Sequence, residues 1–238
     1  MSSVGTVSVM SALAVEVAFK RFVVPEFERT AGASARMTWD PTTVLVRRVG
    51  EGERADAILA IDGAMDGLAD QGIIRRETRV PVARALLGIA GRAGAPRPDI
   101  ATLEAFKAAL LGARVAYSRG GASGIYFAAL LDRLGIADAV NARAVTIPAG
   151  FTAEKVVSGE ADLAVQQVSE LMSVDGVDVV GPFPDEVQTF TDFSVAVFAE
   201  AANPEGAARF IEVATSAAAS KAYEAGGLVS RVRPRGAS

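Results

Sequence analysis

Tyr117-Ser118-Arg119-Gly120-Gly121-Ala122-Ser123-Gly124-Ile125-Tyr126 is the stretch on which the reading of this chain turns. It follows a β-like run from Ala113 to Tyr117 and opens a helix whose apolar stripe is Phe127, Leu130, Leu131 and Leu134, with Gly135 as the stop. It therefore reads as a strand-to-helix loop. Glycines at 120, 121 and 124 permit positive φ and a close approach of backbone to a ligand, while the free N–H groups of a first helical turn favour an anion. Ser118, Arg119 and Ser123 add two hydroxyls and a cationic fork. The expectation is an anion cradle for a carboxylate or a small oxyanion. The plainer alternative is a tight turn in which Ser123 only caps its own helix and Arg119 is solvated. Neither common nucleotide motif is present, since no Gly-Lys-Ser/Thr follows and the glycines are not spaced Gly-x-Gly-x-x-Gly.

The chain has 238 residues, enough for one large domain or for two lobes each with a core. Half of it is apolar and only 6% aromatic, which suits an α/β protein. A net charge of −4 argues against nucleic acid or an anionic membrane as partner, so an anion site must be a local gathering of donors. There is no cysteine and no histidine, which excludes disulfides, thiol catalysis, imidazole bases and His/Cys zinc sites; no metal and no cofactor is expected. Met1 to Gly5 carries no positive charge, and Val7 to Phe19 contains Glu16 and reads as strand plus helix rather than as a secretory signal. A cytoplasmic location is expected as written, or a periplasmic one if a leader has been removed, with no membrane insertion.

Around the opening stretch, strand and helix alternate. Thr6 to Met10 reads as a strand, and Ser11 onward as a helix through Phe19, Phe22 and Phe27 that Pro25 should kink or split. Arg36 to Trp39 reads as a second strand, after which Asp40-Pro41-Thr42-Thr43 opens a helix capped by Asp40 or Thr42. Ala55 to Ile61 is a third strand. Pro81 to Ile89 is expected to cross out of the first lobe, and Asp192 to Phe198 to return to it. Between them lie a Gly/Pro/Ala/Arg loop from Gly91 to Pro98, a helix from Leu103 to Leu111, and strands from Val140 to Ile147 and from Ala161 to Gln167. Pro204 to Ala225 closes the chain as a helix in two pieces. No internal repeat is evident, and Arg231 to Ser238 is expected to fray.

Alternation of this kind implies mostly parallel sheets, which bind ligands at the carboxyl ends of their strands. Met10-Ser11-Ala12, Asp40-Pro41-Thr42-Thr43, the opening loop, Pro148-Ala149-Gly150-Phe151-Thr152 and Gln166-Gln167 all fall at such ends. Gln166 and Gln167 face opposite sides of a strand, so one of them at most meets a ligand. Trp39 reads as a buried anchor, and Asp56 as support for the neighbouring turn. Glu154, Lys155 and Glu170 read as surface charges, and at least one of Arg47 and Arg48 as solvated.

With these loops in place the chain resembles the type II periplasmic binding proteins, specifically the molybdate-binding branch. The resemblance rests on Val9-Met10-Ser11-Ala12-Leu13-Ala14, on Thr42-Thr43 with Arg47 to Asp56 around Gly52, and on Ser123-Gly124-Ile125-Tyr126. The run Gly159-Glu160-Ala161-Asp162-Leu163-Ala164-Val165-Gln166-Gln167-Val168-Ser169-Glu170-Leu171 is similar to a subfamily that includes aconitate isomerases. The implied fold is α/β and two-lobed, each lobe a mostly parallel sheet flanked by helices, with the ligand cleft between lobes. The expected lobes are residues 1–84 with 195–238 and residues 85–194, hinged near 82–88 and 192–198.

By the same resemblance the first oxyanion hydroxyl of the molybdate binders falls on Ala14 with Ser11 nearby, the second on Thr42, the third loop on Ser123 and the fourth near Gly150. Gln167 stands where those proteins have a closing tyrosine. The expected ligand residues are Ser11, Thr42, Thr43, Ser118, Arg119, Ser123, Gly150 and Gln167. Arg119 favours an organic di- or tricarboxylate over molybdate, because a guanidinium matches a carboxylate bidentately. The implied function is solute binding, with a transporter as partner if the chain is exported. The alternative is a cofactor-independent isomerase of aconitate type, with Tyr126, Glu154 and Lys155 as candidate acid–base groups.

Overall fold

The computed structural model describes residues 5–233. β1 (Val7–Ser11) leads through a 3₁₀ turn into α1 (Glu16–Ala18), a π-helical turn over Phe19–Val23, and α2 (Val24–Ala31). The expected disturbance at Pro25 is this π turn: proline has no N–H to donate, and the widened turn before it absorbs the missing bond without ending the helix. β2 (Ala35–Trp39), α3 (Thr42–Gly50), β3 (Ala57–Ile61) and α4 (Asp62–Asp70) follow.

β4 (Val80–Arg92) then carries the chain from one compact unit into another. The second unit comprises α5 (Leu103–Gly112), β5 (Val115–Ser118), α6 (Ala122–Arg133), α7 (Ala137–Asn141), β6 (Val145–Ile147), α8 (Glu154–Val157), β7 (Leu163–Gln167), α9 (Val168–Leu171) and β8 (Val177–Pro182). β9 (Phe190–Val197) leads back to α10 (Pro204–Ala214), α11 (Ala217–Ala225) and β10 (Leu228–Ser230). The first unit holds residues up to Arg84 and from Thr191 onward; the second runs Ala85–Phe190.

Each unit is built on three parallel strands with the first in the middle. In the first unit β1 pairs in parallel with β2 and β3, and β9 adds antiparallel to β3. In the second, β5 pairs in parallel with β6 and β7, and β4 adds antiparallel to β7. Strands covered on both faces become continuous apolar runs. In β7, Leu163 and Val165 pack into a core with Phe106, Phe127, Leu130 and Phe183, while Ala164 joins Ala116, Val156 and Leu171 on the other side. In the first unit Met10, Ile58, Met65 and Leu68 fill one face, and Phe19, Phe27, Phe210 and Tyr223 contact one another on the other.

Three expectations change. Val140 belongs to α7, not to a strand: Gly135, at φ +69°, ends α6, and Ile136 and Val140 then recur at helical spacing against the core. The absence of a repeat also fails. Gly52-Glu53-Arg54-Ala55-Asp56 precedes β3 and Gly159-Glu160-Ala161-Asp162 precedes β7, each entered through a glycine at positive φ (+98° and +80°). The one-residue difference in length hid the match. Arg231 does not fray: its backbone N–H donates to Val82 (3.0 Å) and its guanidinium pairs with Asp62 (2.8 Å). The end of the expected frayed tail, residues 234–238, lies outside the described residues.

Candidate functional site

In the second unit the carboxyl ends of β5, β6 and β7 bring three loops together. Gly120 and Gly124 of the opening stretch serve close approach, and none of Gly120, Gly121 and Gly124 has a positive φ. A Cβ on Gly124 would sit 1.4 Å from the Ser118 carbonyl oxygen, and one on Gly120 would sit 2.7 Å from that of Pro148. No side chain fits at either position. The N-cap of α6 is Gly121, not Ser123, and its N–H donates to Ser118 Oγ at 3.2 Å. Ser123 is buried inside the first turn. The backbone N–H of Arg119 donates to Ile147 (3.0 Å), which ties this loop to the end of β6.

The loop after β6 is held from β7. Gln166 Oε1 accepts from the N–H and hydroxyl of Thr152 (2.8 and 3.0 Å), and its Nε2 donates to the Gly150 carbonyl (3.0 Å). Gln166 is thereby occupied in shaping the loop at Gly150, whose φ is +95°. Gln167 differs: it is only 4% exposed and stands at the N-cap of α9. Glu170, expected on the surface, is buried, because its carboxylate turns back to accept the Gln167 N–H (3.4 Å) in the first turn of α9.

Arg119 is exposed, and among the described residues its guanidinium has no hydrogen bond or ion pair. It borders a hollow of about 340 Å³ with Tyr117, Gly124, Ile125, Ala128 and Asn141. The Tyr117 hydroxyl donates to Asn141 Oδ1 at 2.7 Å, so the Asn141 amide nitrogen keeps its donors. Asn141 is absent from the expected site residues because it falls within the expected strand from Val140 to Ile147; the Gly135 stop followed by Ile136 and Val140 is the sequence signal for the helix that presents it.

The first unit's loops are arranged otherwise. Ser11 is buried and its Oγ donates to the Ala12 carbonyl (3.3 Å). Thr42 is buried and its Oγ1 accepts from the Ile61 N–H (3.3 Å), which joins the second loop to the third; Thr43 is exposed. The expected capping by Asp40 or Thr42 does not form, because the N-cap is Pro41 and the Asp40 carboxylate is taken by Arg48, which also grips Glu53 (2.6 Å). Trp39 is half-buried and edge-on to Phe19, with ring centroids 6.1 Å apart. Asp62, at the start of α4, pairs with Arg231 (2.8 Å) and Arg79 (3.3 Å). Burial pushes its pKa up, but hydrogen bonds from Ser194 and Arg231 outweigh that and hold it below the ordinary carboxylate value.

The acid–base candidates are placed apart from the hollow beside Arg119. Tyr126 donates to the Val187 carbonyl (2.9 Å) and accepts from Arg133 (3.2 Å). Lys155 is paired with Glu160 (3.0 Å). Glu154 is exposed on α8. Among the described residues no group of three or more acidic side chains is placed to hold a metal ion, and no helix is long and apolar enough to cross a membrane.

A family model described as bacterial extracellular solute-binding protein matches residues 7–229. An aconitate isomerase from a Pseudomonas species is 36% identical over 215 residues, covering 87% of this chain and 82% of the relative. Among solved structures, the periplasmic molybdate-binding protein of Azotobacter vinelandii superposes with a TM-score of 0.78 at 18% identity, over 94% of this chain and 98% of that one. The sulfate-binding protein of Mycobacterium tuberculosis gives 0.73 at 19% identity, over 98% and 88%. These likenesses show the α/β fold of the type II periplasmic binding proteins.

Proposed function

The chain belongs to the bacterial extracellular solute-binding proteins, and within that family we propose that it binds a small organic di- or tricarboxylate. The observation that carries this reading is Arg119: a guanidinium with no partner among the described residues, on a loop whose other polar groups are neutral. Neutral N–H and O–H donors suffice for a compact oxyanion. A planar carboxylate is what a guanidinium matches with two parallel hydrogen bonds. Ser118, Ser123, the Gly150 backbone and Gln167 are the remaining contacts proposed in the second unit; Ser11, Thr42 and Thr43 are those proposed in the first. A location outside the cytoplasm and a transporter partner belong to the same reading.

The relative named aconitate isomerase supports a second reading, in which the bound acid also reacts. Interconverting cis- and trans-aconitate needs a base that removes a proton from the methylene carbon, and a proton returned to the former vinyl carbon as the double bond shifts. With Tyr126 and Lys155 bonded elsewhere, Glu154 is the first of the candidate bases to test.

A thermal-shift screen of citrate, cis- and trans-aconitate, sulfate and molybdate separates the ligand classes. A ligand at 100 times its Kd adds about 2.7 kcal/mol of stability. Stabilisation by tricarboxylates alone supports the proposal, and stabilisation by molybdate or sulfate alone overturns it. Incubation with trans-aconitate followed by chromatography reads the chemistry, with Glu154→Gln alongside.

A further inference from the structure

The second unit carries another hollow at the opposite ends of its strands from Arg119. It lies where β5 and β7 begin, has a volume of about 610 Å³, and is rimmed by Arg92, Arg97 and Arg114. Gly91, Ala109, Gly112, Ala113, Ala161 and Leu163 give it an apolar floor, and the Asp162 carboxylate lines it beside Arg114. The glycines and alanines among these leave the space open and bring no side-chain hydrogen-bonding group of their own. The volume falls in the range of about 300–1,000 Å³ usual for small-molecule sites.

We propose that this hollow is a second ligand site, for a small monocarboxylate with an apolar body, such as an arylacetate. This goes beyond the reading of Arg119 and does not depend on it. The apolar floor selects the body, and the arginine rim selects the charge. The three guanidiniums are not equally committed. Arg92 donates to the carbonyls of Val156 and Val157 (3.0 and 2.8 Å), and Arg114 forks onto Asp162 (2.7 and 3.2 Å). Among the described residues Arg97 has only an ion contact of 3.5 Å with Asp178, whose Oδ2 already accepts the Gly94 N–H at 3.2 Å.

Arg97 therefore keeps donors for a ligand. It sits between Pro96 and Pro98, whose rings fix φ and bring no backbone N–H of their own, so its side chain is presented from a stiff segment. Asp162 and Asp178 offset two of the three rim charges, leaving a local positive balance on a chain whose net charge is −4. A carboxylate completes that balance, whereas a cation or a second carboxylate on the ligand would disturb it.

The probe is phenylacetate, with phenylacetamide as its neutral isostere, followed by two-dimensional amide NMR on the full chain. Saturable shifts at Gly91, Ala109, Gly112 and Ala113 with phenylacetate, and none with the amide, are expected. Arg97→Ala, which removes only a long exposed ion contact, should weaken phenylacetate about tenfold. Ala109→Leu should fill the floor and abolish the shifts. Addition of saturating trans-aconitate should leave them in place. Absence of shifts at millimolar phenylacetate, equal binding of the amide, or unchanged affinity in Arg97→Ala would each overturn the proposal; the Arg97 result stands even if Ala109→Leu does not fold.

Discussion

Asp56 enters β3 in the first unit and Asp162 enters β7 in the second, each after a Gly-Glu turn and each accepting a backbone N–H from the neighbouring central strand or its approach. The acceptor distances are the same, 2.8 Å from Ser8 and 2.8 Å from Arg114. Their surroundings are not. Asp56 is 4% exposed and also accepts from the Ser8 hydroxyl (2.7 Å) and the Asn203 N–H (2.7 Å), so it ties β1, β3 and the start of α10 together. Asp162 has 49% of its side chain exposed and is shared with the Arg114 guanidinium. One sequence device thus serves as a buried joint in one unit and a surface clasp in the other. Among the described residues, the first unit's Asp40, Arg48, Arg79, Asp62 and Arg231 stand in ion pairs, while in the second no hydrogen bond or ion pair reaches the Arg119 guanidinium.

The largest expected effect tests how tightly the second unit's loop is closed. Gly124→Ala forces a Cβ into the Ser118 carbonyl and should cost more than about 4 kcal/mol or prevent folding. Gly63→Ala near the start of α4, where a Cβ meets nothing within 4 Å, should change stability by about 1 kcal/mol at most, toward stabilisation. Urea unfolding of both variants reads the contrast, and equal costs would break it. Next, Asp56→Ala strands buried donors and should cost about 3 kcal/mol, whereas Asp162→Ala should cost about 0.5–1 kcal/mol, as for an exposed pair.

The same joint predicts a pH response. For Asp56 burial raises the pKa, but hydrogen bonds from the Ser8 N–H, the Ser8 hydroxyl and Asn203 outweigh it, so the folded value lies below the unfolded one. Stability from a depressed carboxylate is complete above the unfolded pKa, about 3.9, and is lost as pH falls through the lower folded value. Amide exchange at pH values below about 4 should therefore show protection falling at Ser8, Asp56 and Asn203. Asp56→Asn should flatten that dependence, and an unchanged profile would remove Asp56 from the joint.

How much of this was legible beforehand follows from what each feature depends on. The alternation of strand and helix was readable because apolar periodicity and Gly/Pro punctuation are local. The glycines at 120 and 124 were noticed, with close approach as one of two reasons; only the packed chain shows that the obstacles are the carbonyls of Pro148 and Ser118. Gln166 and Gln167 were separated in principle by strand alternation, but which one is spent on Thr152 depends on a loop fourteen residues away. Glu170 looked like a surface charge and Arg231 like the start of a fraying tail, since their partners, the Gln167 N–H and Asp62, are fixed by tertiary structure. The repeat itself was hidden by Arg54, an extra residue in a turn where length is free to vary.

The most direct test of carboxylate recognition by the second unit is titration calorimetry of trans-aconitate against the wild-type chain and Arg119→Ala. With no partner among the described residues to lose, the variant should keep the wild-type unfolding midpoint yet bind more weakly by about 1.5–3 kcal/mol, the loss of charge-assisted hydrogen bonds. Unchanged trans-aconitate affinity in a folded Arg119→Ala variant would contradict the assignment.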